Sequence, residues 1–243
     1  MEVPTKIRRP EDPRARPLKA GLAWWKYLTG VLLLYVVVAG LVLPVPRRDI
    51  VNETIRNLYF HVPMWFGMTI ILAFSVWFAV QYLRTGLDRY DVWAYHSART
   101  GSVFGVLGLL TGSLWARYTW GAWWTDDVRL NGAAIALLIY GAYFVLRSSL
   151  PEPSQRARIS AIYNIFAFAA AVPLLFIMPR IKDSLHPGAG GNPGFNTYDL
   201  DHTMRLVFYP AVIGWTLVGA WLTQLSVRLA LLTQALDDQD DAA

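Results

Sequence analysis

Six long apolar stretches, separated by shorter polar segments, dominate the pattern of the chain. They cover roughly residues 24–43, 62–83, 98–114, 129–147, 159–178 and 206–228. At about 1.5 Å per helical residue, a stretch of about 20 residues crosses a hydrocarbon core about 30 Å thick. The third stretch is short and rich in glycine, a composition that favours close packing between helices. The pattern predicts an all-α integral membrane protein with six transmembrane helices.

The same pattern divides the chain into three parts: a basic leader over 1–23, the six-helix domain over 24–228 and an acidic tail over 229–243. The leader is charged and rich in proline and has no apolar core, so no cleavable signal peptide is predicted. Lysine and arginine are more frequent on the side of the leader. The positive-inside rule therefore places both termini in the cytoplasm.

This orientation sorts the segments between the helices. Three longer segments, 44–61, 115–128 and 179–205, are expected on the outer side, and shorter ones near 84–97 and 148–158 in the cytoplasm. The net charge of +5 comes mostly from the leader and needs no nucleic-acid partner to explain it. The expected partner of the apolar stretches is a lipid bilayer.

Two absences in the sequence limit its chemistry. There is no cysteine, which excludes thiolate metal ligands and the Cys-x-x-Cys-His signature of covalently attached haem. There is also no glycine-rich phosphate loop with lysine. Any cofactor is therefore expected to be held non-covalently, and any energy from ATP to come from another chain.

A tryptophan cluster lies in the second outer segment, where four of the 11 tryptophans fall within ten residues. Trp120, Trp123 and Trp124 are spaced so that a helical turn would place the three rings on one face. Charged residues follow at once: Asp126, Asp127 and Arg129. An aromatic face with charges at its edge is typical of a site for a flat apolar ligand. A belt of tryptophans at the membrane interface is the alternative.

The chain has four histidines, at positions 61, 96, 186 and 202. The predicted topology places His96 in a cytoplasmic loop, and His61 and His186 on different outer segments that flank the tryptophan cluster. Six-coordinate haem iron takes imidazoles from opposite sides of the ring, and separate segments can deliver that geometry. The residues thus favour a haem site, although a single histidine at an interface is more often structural.

Three separated motifs resemble one known family. The run Trp120-Gly-Ala-Trp-Trp-Thr-Asp-Asp127-Val-Arg129-Leu resembles the WGxWWxWDxRL motif of the CcmC/CcsA haem-handling family. Tyr59-Phe-His61-Val-Pro63 and Ser184-Leu-His186-Pro-Gly188 resemble its two histidine segments. The chain departs from the family where Asp126 replaces a tryptophan, and where the aromatic pair before the second histidine is absent.

The resemblance implies a set of site residues. His61 and His186 would be the axial ligands of a non-covalently bound haem b. Arg56 and Arg129 match the family's arginines, and their charges suit the haem propionates. The other residues that would bind the cofactor are Trp115, Trp120, Trp123, Trp124 and Asp127, of which Asp127 is expected to orient Arg129 or to meet a partner.

The resemblance also implies a function. Members of the family present haem at the outer, periplasmic face of the bacterial inner membrane and pass it to the haem chaperone CcmE. They work with the ATP-binding-cassette subunits CcmA and CcmB and the small membrane protein CcmD. The chain is therefore expected to be a haem-binding and transfer protein without enzymatic or ATPase activity of its own.

Three alternatives to haem handling stay open. One is a non-haem metal site built from His61, His186 and His202 with Asp199 or Asp201. Another is a transporter of a small amphipathic substrate, although no ionisable residue lies in the middle of a predicted helix. The last is an electron-transfer subunit, which would normally carry its haem ligands inside the helices.

Overall fold

A computed structural model describes residues 23–46, 51–186 and 200–240, and every regular element in these ranges is helical. A 3-10 helix, Asn52–Tyr59, precedes α2, and a π-helical turn, Pro173–Ile177, joins α5 to α6. The prediction of an all-α fold is confirmed. The α-helices are α1 Trp24–Val42, α2 His61–Thr85, α3 Asp88–Trp120, α4 Val128–Ser149, α5 Pro153–Val172, α6 Met178–Ile181 and α7 His202–Asp240.

Five helical segments of the described chain are long and apolar enough to cross a membrane, judged by length and composition. The third long helix, α3, is not among them, because Arg99 together with glycine, serine and threonine residues lowers the mean hydropathy of its predicted span, 98–114. The sixth span and the cytoplasmic termini therefore stay predictions. The five segments are Trp24–Val42, Asn52–Thr85, Val128–Ser149, Pro153–Ile181 and His202–Asp240.

Helices α2 and α3 form an antiparallel pair joined by only two residues. Gly86 ends α2 in the left-handed region, at φ 68°, which glycine adopts without steric cost. Halfway along the pair, the Ser75 hydroxyl donates to the carbonyl of Ala94 at 2.6 Å, and it accepts from Asn164 Nδ2 on α5 at 2.7 Å. These hydrogen bonds fix the register of three helices.

The predicted cytoplasmic loop near 84–97 is wrong. Helix α3 begins at Asp88, and His96 lies buried within it. Asp88 and Asp91 fall in the first turn of α3, where acidic side chains stabilise the positive end of a helix. Asp91 also forms an ion pair of 2.6 Å with Arg147 near the end of α4. Polar residues that resembled a loop in the sequence therefore cap α3 and link it to α4.

We call the end of the bundle opposite to the Asp91–Arg147 ion pair the site end. It is the end where α2 and α4 begin and α3 finishes. Tyr59 and Leu58 of the 3-10 helix are buried there among residues of α1, α2 and α7. The short 3-10 helix is thus part of the core, and it fixes the start of α2.

Helix α7 is longer than predicted, since it runs from His202 to Asp240 instead of over 206–228. Residues 229–240 of the acidic tail continue this helix because leucine, alanine and glutamine dominate their sequence and favour helix formation. Residues 1–22 of the predicted leader and 241–243 of the tail lie outside the described residues.

The connection from α5 to α6 approaches α4 closely. Pro173 opens the π-helical turn, as expected for a residue without a backbone N–H. At Gly132 of α4, an added Cβ would lie 2.6 Å from the carbonyl oxygen of Leu174. Only glycine therefore lets the turn rest on α4, and this contact positions the next two residues, Leu175 and Phe176, at the site end.

Candidate functional site

A pocket opens at the site end between α2, α3, α4 and the π-helical turn. Its cavity volume is about 140 Å³, and the space not filled by atoms is about 1030 Å³ when the open solvent at its mouth is included. Both predicted histidine ligands line it, although they are far apart in the sequence. The lining residues are Leu58, His61, Val62, Trp65, Phe66, Thr69, Gly108, Leu109, Gly112, Trp115, Arg129, Leu130, Ala133, Leu175, Phe176 and His186.

His61 is the first residue of α2, and its imidazole is buried against α3. The Thr111 hydroxyl donates to the carbonyl of Leu107 at 2.8 Å, and its oxygen lies 3.0 Å from Nδ1 of His61. Because the hydroxyl proton is directed to the carbonyl, the oxygen is left as an acceptor for Nδ1–H. If Nδ1 carries the proton, Nε2 of His61 keeps the lone pair.

The glycines of α3 make room for this arrangement. An added Cβ at Gly112 would lie 2.8 Å from Cε1 of His61, and one at Gly108 would lie 2.8 Å from Cε2 of Trp65. The glycine-rich third stretch therefore serves the pocket as well as helix packing. Two indole rings meet the His61 ring edge-on, with centroid distances of 6.2 Å for Trp65 and 6.0 Å for Trp115.

His186 is held by Asp127, which is 2% exposed and caps α4 through the backbone N–H of Arg129. Oδ1 of Asp127 lies 3.1 Å from Nδ1 of His186. Oδ2 accepts from the Ser184 hydroxyl at 2.8 Å and from the N–H of Leu185 at 2.7 Å. Burial raises the pKa of Asp127, but these hydrogen bonds outweigh it and hold the pKa well below its usual range. The group is a carboxylate at neutral pH.

The tryptophan segment is not built as predicted. Helix α3 continues through Trp120 and ends at Gly121, which is left-handed at φ 80°. Trp115 and Trp120 are thus helical, while Trp123 and Trp124 follow in an irregular segment. The expected single face formed by positions 120, 123 and 124 is wrong, because the left-handed glycine ends the helix between them.

The four tryptophans consequently differ in their surroundings. Trp115 lines the pocket, and its indole N–H donates to the Thr54 hydroxyl at 3.1 Å. Trp120 packs edge-on against the His186 ring, with a centroid distance of 4.9 Å. Trp123 and Trp124 are 60% and 44% exposed and lie outside the pocket lining. One tryptophan is therefore a wall of the pocket, and a second supports a histidine.

The two predicted arginines also separate. Arg129 lines the pocket beside the histidines. Arg56 does not: its Nη1 donates to the carbonyls of Gly40 and Leu43 at 2.8 and 2.6 Å, and its Nε to Glu53 at 2.9 Å. A cation is favourable at the carboxyl end of a helix such as α1. The geometry thus favours a structural role for Arg56 over the predicted contact with a propionate.

Asp127 also differs from its predicted role. It does bind Arg129, but through the backbone N–H, and its remaining hydrogen bonds go to the segment that carries His186. It does not line the pocket. Its partners are 57 and 58 positions away in the sequence, so no local spacing could reveal the contact.

Several residues that line the pocket were not predicted from the sequence, among them Trp65, Phe66 and Phe176. The position of Trp65 could have been predicted, because it follows His61 by four residues and so lies on the same face of a helix. The position of Phe176 could not have been predicted in this way, since it depends on the π-helical turn.

The alternative of a non-haem metal site loses support. In the part of the chain that the structure describes, no three His, Cys, Asp or Glu side chains are grouped so as to hold a metal ion. Asp201 instead caps α7, where its carboxylate accepts from the N–H of Met204 at 2.7 Å. Asp199, the other carboxylate of that alternative, lies outside the described residues.

The fold and site together define a class: a helical membrane protein with two histidines on an apolar, aromatic pocket at one end of its bundle. This donor set fits haem, because two imidazoles from separate segments, each with Nδ1 engaged, share a pocket with one guanidinium. The family profile described as Heme exporter protein C matches residues 11–241. The chain belongs to that family, as its motifs predicted.

Individual relatives agree with this assignment. A Heme exporter protein C of Bradyrhizobium diazoefficiens is 29% identical over 190 residues, which cover 74% of this chain and 68% of the relative. Those of Haemophilus influenzae and Escherichia coli are each 24% identical, over 86% and 74% of this chain and 83% and 72% of the relatives. The family supports a role in haem handling for cytochrome c maturation.

Proposed function

We propose that the chain binds haem b non-covalently in this pocket, with His61 and His186 as its axial ligands. The observation that carries the proposal is that two histidines far apart in the sequence line one apolar, aromatic pocket. His61 and His186 would hold the haem, whose iron would supply the metal chemistry of the site when bound. The chain itself supplies the imidazoles, the apolar walls and a cation.

Each wall has a distinct physical role in this proposal. The rings of Trp65, Phe66 and Trp115 cover apolar ligand surface and exclude water from the iron ligands. Arg129 provides the positive charge that a propionate needs at the edge of an apolar site. Trp120, Trp123 and Trp124 do not line the pocket. Their predicted contact with haem therefore stays a prediction.

The finer steps of the function follow from the family and from the charge pattern. The chain would present haem at the periplasmic face of the bacterial inner membrane and hand it to CcmE. CcmA and CcmB would supply the energy of ATP hydrolysis, and CcmD would complete the complex. The chain would then act as a haem-binding and transfer subunit without enzymatic activity of its own.

Handover to the acceptor tests this function directly. The haem-loaded chain, purified in detergent, is mixed with haem-free CcmE, and the two proteins are separated and examined by absorption spectroscopy. We expect haem to leave the chain and to appear on CcmE. A chain that purifies with CcmA, CcmB and CcmD but never holds haem, or that never transfers it, would contradict the proposal.

The two arginines give a prediction with an internal control. Arg129→Gln is expected to weaken haem binding about tenfold, because a hydrogen bond to a charged group is worth about 1.5–3 kcal/mol and the pocket is partly open to solvent. Arg56→Gln should leave haem affinity nearly unchanged and should instead lower the thermal stability. Haem titration and thermal unfolding of both variants measure the two effects, and equal losses of affinity would refute the distinction.

A further inference from the structure

We propose that Asp127 is a positioning residue that fixes the tautomer of His186, and that Thr111 does the same for His61. Each holds the proton on Nδ1 and leaves Nε2 as the nitrogen that binds iron. The inference rests on the proposed function, because it assigns how the two ligands of that site are prepared before haem arrives.

Among the residues that the structure describes, the neighbours of His186 leave its Nδ1 no role except that of a donor. Oδ1 of Asp127 lies 3.1 Å away and belongs to a carboxylate, which only accepts. The Ser184 oxygen lies 3.3 Å away, and its own proton is donated to Asp127. Both groups near Nδ1 are therefore acceptors, so the neutral imidazole carries its proton there and its lone pair on Nε2.

Asp127 also fixes where His186 lies. Its carboxylate binds the Ser184 hydroxyl and the Leu185 N–H, so the whole segment 184–186 is attached to the first turn of α4. The Trp120 ring packs against the imidazole itself. One buried carboxylate thus sets both the position and the protonation of the ligand, as acceptors bonded to metal-binding histidines commonly do.

The acceptors of the two histidines are unequal. His186 donates to a carboxylate, whereas His61 donates to a neutral hydroxyl oxygen. A carboxylate partner increases the basicity of an imidazole more than a neutral oxygen does. His186 should therefore be the stronger electron donor to iron, and loss of Asp127 should destabilise ferric haem and raise the reduction potential.

Asp127→Asn is the most direct variant. Asparagine has the same size and is an equally good helix N-cap, so α4 should begin as before. Its amide group can donate to Nδ1 of His186, which moves the histidine proton to Nε2 and blocks coordination. Asp126→Asn is the matched control, because Asp126 is exposed and accepts a hydrogen bond from the Asn131 amide rather than from a histidine.

We expect haem affinity to fall about 10- to 100-fold in Asp127→Asn and the low-spin absorption to be lost. Added imidazole, which can occupy the vacant axial position, should restore the low-spin spectrum. The reduction potential of haem that remains low-spin should rise. Thr111→Val, which removes the hydroxyl acceptor of His61 and leaves the Gly108 carbonyl in place, should change the spectrum in the same direction but by less.

A readout without haem completes the test. Nitrogen-15 NMR of histidine side chains in the haem-free protein reports which ring nitrogen carries the proton. The proposal expects His186 to be protonated on Nδ1 in the native chain and on Nε2 in Asp127→Asn, with no change in Asp126→Asn.

The outcomes separate the inference from the proposed function. If the native chain binds haem through both histidines but Asp127→Asn matches Asp126→Asn in affinity, spectrum and tautomer, the inference is overturned and the function stands. If the native chain does not bind haem through both histidines, the proposed function fails, while the NMR result still decides the tautomer. Native His186 protonated on Nε2 would overturn the inference in either case.

Discussion

Replacing His61 or His186 with alanine is expected to convert bound haem from a six-coordinate, low-spin form to a five-coordinate, high-spin form. Each variant should also lose at least about 100-fold in haem affinity, since loss of a group that merely orients a ligand already costs 10–100-fold. The physical reason is that the pocket offers few other groups that could replace an imidazole on iron. Apart from the two histidines and one arginine, its lining residues are mostly apolar. Haem titration followed by absorption spectroscopy measures both effects.

Two histidines outside the pocket serve as controls. His96 is buried in α3 toward the end of the bundle opposite the site, and His202 begins α7; neither lines the pocket. Alanine at either position should leave the haem spectrum as it is in the native chain. A native spectrum in His61→Ala or His186→Ala, or a loss of low-spin haem only in His96→Ala, would refute the ligand assignment.

Gly112→Ala should also have a large effect, although it adds only one methyl group. The new Cβ would lie 2.8 Å from Cε1 of His61, below any normal contact distance. The ring has little freedom to move away, because Thr111 contacts its Nδ1 and the rings of Trp65 and Trp115 both pack against it edge-on. Overpacking of this kind costs about 1–3 kcal/mol, and relief requires the imidazole to move.

The expected result is a displaced His61 and partial loss of low-spin haem, measured by the same titration at matched protein levels. Gly141→Ala is the control, because a Cβ at this position on α4 would meet nothing within 4 Å. If both variants bind haem as the native chain does, the packing of His61 on α3 does not determine its use as a ligand.

The helices were largely predictable from the sequence, because a membrane span is a property of a contiguous segment. Five of the six apolar stretches fall in segments long and apolar enough to cross a bilayer. The limits of the helices were less predictable. Polar residues near 84–97 resembled a loop, but Asp91 pairs with Arg147 on another helix, and a local sequence pattern does not show such a partner.

The histidine pair was predictable for a different reason. His61 and His186 belong to motifs of the family, and both line the pocket. The arginines show the limit of motif matching, since Arg56 and Arg129 both match but only Arg129 reaches the pocket. The carbonyls at the end of α1 bind Arg56 instead, and this contact depends on how α1 packs against the 3-10 helix.

The tryptophan segment shows how one residue can change a prediction. Spacing alone placed Trp120, Trp123 and Trp124 on one helical face. Gly121 ends the helix with a positive φ, so the rings separate: one supports His186, and two are exposed. The contact between Asp127 and His186 could not be predicted from the sequence, because it joins residues from two segments that come together only in the fold.

The measurement that tests the central claim most directly is electron paramagnetic resonance of ferric haem bound to the purified chain. The account predicts the low-spin signal of bis-imidazole iron in the native protein, and its complete loss in the double variant His61→Ala/His186→Ala. The same low-spin signal in the double variant, at matched haem content, would contradict it.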